Sequence, residues 1–127
     1  MYSAKIINSE TMKDNYVSYT LLVTCVSGMT GRSTVWQVLR RFSNFDELHS
    51  LIMDKCGRIP QLKPPSKRFI PSKDFLERRR KELDDYLQVL YQPDLHARYP
   101  NMRFLAIDFL QPASYDNRRK AFPSKPS

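Results

Sequence analysis

Tyr16 to Val26 (YVSYTLLVTCV) is dense in β-branched and aromatic residues, which suits a half-buried, pleated strand. A turn-rich stretch, Ser27 to Arg32, follows, and Ser33 to Phe42 (STVWQVLRRF) resumes the strand pattern. Together they predict a β-hairpin with a loop of about six residues. Met1 to Asn8 (MYSAKIIN) predicts a third, edge strand. At Ser43 the period changes. Phe45, Leu48, Ile52 and Cys56 form the one-sided stripe of a helix, with Ser43 as its expected N-cap and Gly57 as its stop.

Arg58 to Pro71 (RIPQLKPPSKRFIP) holds Pro60, Pro64, Pro65 and Pro71, so it predicts an extended, stiff surface loop. Ser72 then caps a long helix reaching about Tyr91. Its Leu76, Leu83, Leu87 and Leu90 fall within roughly 60° of one another, with Tyr86 on the flank. Pro93 ends it. A short helix and another from about Asn101 to Leu110 follow. Strands first and helices after predict an α+β domain rather than a parallel α/β one, with the proline-rich loop between its first two helices. The predicted domain spans residues 1–112, and residues 113–127 read as a basic, disordered tail.

Composition narrows the class. At 127 residues the chain suits one domain, and 41% hydrophobic residues are too many for a disordered chain. Nothing at its start reads as a secretion signal, and no apolar run could span a bilayer. Cys25 and Cys56 are too few for a disulfide framework or zinc site, so free thiols in a reducing compartment are expected. The net charge of +8 favours a polyanion: nucleic acid, an acidic protein surface or anionic lipid.

Catalysis finds little support. There is no glycine-rich phosphate loop or nucleophile elbow, and His49 and His96 lie far apart. No enzyme, metal site or cofactor is predicted. The arginines are more telling. Arg79 falls about 40° from Leu83 on the wheel, inside the apolar stripe, where a charge is costly unless it is paired or reaches a pocket mouth. Arg40 and Arg41 alternate at the end of the last strand, so one of them faces inward. Helix N-termini favour anions, and one starts next to this pair. Lys67 adds a cation on the stiff loop. Three cationic groups from three elements, with Phe42 beside Arg41, suit a phosphorylated ring.

These residues also carry a resemblance. Arg40-Arg41-Phe42-Ser43-Asn44-Phe45 resembles the R-R-[YF]-x-x-F motif of phox-homology (PX) domains. Pro64-Pro65-Ser66-Lys67-Arg68-Phe69 resembles their proline-rich loop, and Phe75 to Leu87 resembles their helix signature F-[IL]-x-x-R-x-x-x-L-x-x-[FY]-[IL]. The similarity runs to about Leu110. The three motifs in order, at family-like spacing, make a specific match of the sorting-nexin type.

The resemblance implies a three-stranded antiparallel β-sheet packed against a helical subdomain, with a phosphoinositide pocket between them. Arg41 would bind the 3-phosphate, Phe42 would stack under the inositol ring, Lys67 would meet the 1-phosphate, and Arg79 would meet the 4- and 5-hydroxyls. Phe69 and Ile70 would enter the bilayer interface, with Arg40, Arg68 and Arg80 as auxiliary cations. The partner implied is a phosphoinositide-containing membrane, phosphatidylinositol 3-phosphate being favoured, at endosomal or other such membranes on the cytoplasmic side. The loop inserts Ser66 before its lysine, and a one-residue slip along Arg78-Arg79-Arg80 would put Arg80 in the role given to Arg79. The alternative is a basic nucleic-acid-binding or protein-interaction domain without lipid specificity, supported by the charge and by Arg118-Arg119-Lys120. Against it, no recognition-helix motif or exposed aromatic pair of the RNA-reading kind is present.

Overall fold

The computed structural model describes residues 1–67 and 72–115. Three strands, β1 (Tyr2–Thr11), β2 (Val17–Val26) and β3 (Ser33–Arg41), form an antiparallel sheet in the order β1-β2-β3. Helices α1 (Phe42–Cys56), α2 (Lys73–Leu90), α3 (Pro93–Arg98) and α4 (Pro100–Phe109) follow. This is the α+β architecture expected, and β1 runs three residues beyond its predicted end.

One face of the sheet builds the core. Ala4, Ile6, Tyr19, Leu21, Val23 and Val38 alternate inward and are buried. Phe45 of α1 stands at the centre, edge-on to Phe109 at 5.0 Å, Tyr86 at 6.2 Å and Tyr19 at 6.5 Å between centroids. The proline-rich segment is less superficial than its composition suggests, because Ile59 and Leu62 are buried in the same core.

Edge strand β1 is closed off by α2. Its Ile6 N–H donates to Asp84 Oδ1 at 2.9 Å, and its Ala4 carbonyl accepts from Gln88 Nε2 at 3.4 Å. Arg80 Nη1 reaches Ser9 Oγ at 3.4 Å. Residues 80, 84 and 88 are successive i, i+4 positions, so one stripe of α2 follows the strand and satisfies backbone groups that an open edge would expose.

The opposite end of the sheet is tied to α4. Trp36 Nε1 donates to the Leu110 carbonyl at 2.9 Å. Arg40 is buried, and its Nε and Nη2 donate to the carbonyls of Phe109 (2.9 Å) and Gln111 (2.6 Å). A helix C-terminus leaves carbonyls without partners and carries partial negative charge, so an inward-facing arginine is stabilising there. Tyr115 packs edge-on against Phe109 at 5.0 Å and beside the Arg40 guanidinium, so the fold continues past the expected boundary at Pro112 at least to this residue. Residues 116–127, most of the expected tail, lie outside the described residues.

Candidate headgroup pocket

The junction of β3 and α1 sets the site. The N-cap is Arg41 rather than Ser43, because the Asn44 side chain accepts the Arg41 N–H at 2.9 Å and fixes the turn from strand to helix. Phe42 is therefore the first helical residue. Around it lies a pocket of about 180 Å³ lined by Asn15, Tyr16, Tyr19, Arg41, Phe42 and Arg79, among others. The sheet, the start of α1 and the middle of α2 meet there.

Arg79 is 6% exposed, and its guanidinium carbon lies 3.9 Å from the Phe42 ring centroid and 4.8 Å from that of Phe75. Its Nη2 donates to the Ser66 carbonyl at 3.0 Å. Burial pulls its pKa down, and Tyr19 and Glu82 oppose the shift; a guanidinium stays charged regardless. Burial pushes the Tyr19 hydroxyl up, against Arg79 and Arg80, so it faces the site as a neutral donor. Arg79, not Arg80, sits against Phe42; Arg80 turns to β1 and Ser9.

Arg41 is half-buried, with its guanidinium carbon 3.8 Å from the Tyr16 centroid. Among the described residues no carboxylate forms a salt bridge with it. Lys67 does not line the pocket. Its ammonium, on a side chain 77% exposed, lies 3.6 Å from Asp46 Oδ1, one helical turn beyond Phe42. The Arg79–Ser66 bond holds the loop one residue before it. The serine that lengthens the loop motif thus supplies the carbonyl that docks it.

The structure brings Arg41, Phe42 and Arg79 to one pocket, with Lys67 at its margin. It does not bring Arg40 there: the residue expected as an auxiliary cation is buried and spends its donors on the end of α4. The physical reason is the strand alternation, which sends Arg40 inward with Val38. Arg68, Phe69 and Ile70 lie outside the described residues. Tyr16 is a wall residue that motif reading passed over, although its place just before β2, diagonal to Arg41, is readable once the strands are paired.

Comparison with known proteins decides the family. The PX domain family model matches residues 28–113, more than half of the chain. The chain is a PX domain. It is 32% identical over 94 residues to sorting nexin-13 of Mus musculus and of Homo sapiens, covering 72% of this chain and 10% of each relative. It is 34% identical over 97 residues to sorting nexin mvp1 of Schizosaccharomyces pombe, covering 69% of this chain and 14% of that protein. The chain thus spans 10–14% of the length of these relatives. A designed CISK-PX domain superposes with a TM-score of 0.58 at 27% identity, covering 86% of this chain and 98% of that one. The mouse SNX19 PX domain, solved with a bound sulphate ion, gives 0.60 at 19% identity over 87% and 96% of the two chains. PX domains are generally non-enzymatic modules that bind phosphoinositides and target membranes. No helix among the described residues is long and apolar enough to cross a membrane.

Proposed function

We propose that this PX domain binds phosphatidylinositol 3-phosphate on the cytoplasmic face of endosomal or similar membranes. The observation that carries the reading is the convergence of Arg41, Phe42 and Arg79 on one pocket at the start of α1. Arg41 takes the 3-phosphate. It is a fork of donors that can hold a phosphate bidentately, with charge-assisted bonds stronger than neutral ones. Phe42 supports the inositol ring. Arg79 now covers the face of Phe42, so it slides aside as the ring stacks and meets the 4- and 5-hydroxyls. Among 3-phosphorylated headgroups only the 3-monophosphate keeps both of those hydroxyls free, which is why that lipid is favoured. Lys67 exchanges its exposed ion pair with Asp46, worth little in water, for the 1-phosphate.

Phe69 and Ile70 enter the bilayer interface, each adding about 1.5–3 kcal/mol when fully buried. Arg68, Arg80 and the rest of the +8 charge supply a non-specific field toward anionic lipid. The test is cosedimentation with phosphatidylcholine vesicles carrying one phosphoinositide at a time. Enrichment on 3-phosphate vesicles over 4- or 5-phosphate vesicles is expected. Equal binding to all of them, or stronger retention by DNA or RNA at the same salt, would overturn the reading.

A further inference from the structure

We infer that Tyr16 is a positioning residue of this pocket, acting as an aromatic clamp that holds Arg41 in its phosphate-binding pose; the inference rests on the headgroup reading above. Three features of the structure carry it. The first is register. Ser18 pairs with Arg41 across β2 and β3, so Tyr16, two residues earlier, is its diagonal neighbour on the same face. Aromatic and long side chains reach one another across that diagonal.

The second is how firmly the tyrosine is set. The turn before it is closed by Met12 N–H to the Tyr16 carbonyl at 2.7 Å and Asn15 N–H to the Met12 carbonyl at 3.0 Å. Asn15 takes a φ of 62°, a left-handed conformation that asparagine tolerates better than most residues. The pairing of Thr11 with Val17 follows directly. Tyr16 is thus held by backbone, and its half-buried ring lines the pocket.

The third is what the stack leaves open. A guanidinium lying on a ring uses its flat face, while its N–H donors lie in its plane and point past the ring edge. Contrast Arg40, the preceding residue, whose Nε, Nη1 and Nη2 all donate to carbonyls. A carboxylate beside Arg41 would have fixed it too, but it would have occupied the donors and cancelled the charge a phosphate needs. An aromatic clamp fixes the side chain and keeps both. It also reduces the rotamer freedom lost on binding, which otherwise weakens affinity.

The test compares wild type, Tyr16→Phe and Tyr16→Leu. The readouts are calorimetric titration with soluble inositol 1,3-bisphosphate, thermal melting, and the Arg41 Nε–Hε resonance. The phenyl ring keeps the π face, so Tyr16→Phe retains wild-type affinity within about twofold. Leucine fills space without it and weakens binding by about 3- to 30-fold, the range expected of a cation–π contact between exposed and desolvated limits. The ring-current shift of the Arg41 resonance persists in Tyr16→Phe and disappears in Tyr16→Leu, at unchanged melting temperature. A folded Tyr16→Leu variant with wild-type affinity, or a Tyr16→Phe variant as weak as Tyr16→Leu, would overturn the clamp while leaving the headgroup reading standing. A wild type that ignores the headgroup overturns both.

Discussion

Arg40 and Arg41 are neighbours in sequence with opposite assignments: Arg40 donates to the carbonyls of Phe109 and Gln111, and the Arg41 guanidinium carbon lies over the Tyr16 ring, 3.8 Å from its centroid, in the wall of the pocket. One arginine anchors α4 and the other is available to an anion. Arg40→Met should therefore lower stability by about 2–4 kcal/mol, because buried carbonyls lose a charged donor. Denaturant unfolding measures this, and a loss below about 0.5 kcal/mol would contradict the anchoring role.

Arg79→Lys separates charge from geometry. Lysine keeps the charge but cannot lie flat on Phe42 or reach the Ser66 carbonyl with the same planar fork. Headgroup affinity should fall by roughly tenfold, with the domain still folded, about the free energy of one charge-assisted contact. Titration with the soluble headgroup checks this, and full rescue by lysine would reduce the role of Arg79 to charge alone.

Asp84 tests how the sheet edge is protected. Its carboxylate accepts the Ile6 N–H at 2.9 Å beside the bulge where pairing shifts between Ile6 and Asn8. Asp84→Ala leaves that donor without a partner and should cost about 1–3 kcal/mol. Hydrogen exchange at Ile6 should accelerate more than at Leu21 on the central strand. Equal effects at both amides would argue against a local edge contact.

The domain should lose stability on both sides of neutrality. His49 donates or accepts at Nδ1 with the Tyr86 hydroxyl at 2.9 Å, and burial holds its pKa below the ordinary 6.5, with Asp46 opposing and Lys67 adding to the shift. The unfolded chain protonates first, so this contribution is complete above pH 6.5 and falls away as pH drops through it. In alkali, burial raises Tyr115 to about 12, with Glu47 and Asp108 adding, so its contribution is present below pH 10 and is lost between 10 and 12. Melting temperature against pH tests both limbs. His49→Gln should flatten the acid limb near pH 6, and an unchanged limb would contradict the assignment.

The strands and helices were legible because the chain is locally consistent: alternation in β2, a stripe in α1, and Ser72 accepting the Phe75 N–H at the start of α2. The helical wheel singled out Arg79 because a charge inside an apolar stripe needs a reason. What stayed hidden depends on pairs that form only in three dimensions. Strand alternation could say that either Arg40 or Arg41 faces inward, but the carbonyls that attract Arg40 sit at the end of α4. Tyr16 belongs to no motif, and only the register of Ser18 with Arg41 brings its ring to the pocket. Ile59 and Leu62 sit in a segment whose prolines suggest a surface loop, yet they are buried because the core beneath needs covering.

The central claim is that Arg41 binds the 3-phosphate, and the direct measurement is vesicle binding by Arg41→Ala beside wild type, with and without phosphatidylinositol 3-phosphate. Arg41 is half-buried and joins no ion pair among the described residues, so the variant should melt within a few degrees of wild type. The account predicts that its lipid-specific binding drops to the level seen on plain phosphatidylcholine. Undiminished, lipid-specific binding by the folded variant would contradict it.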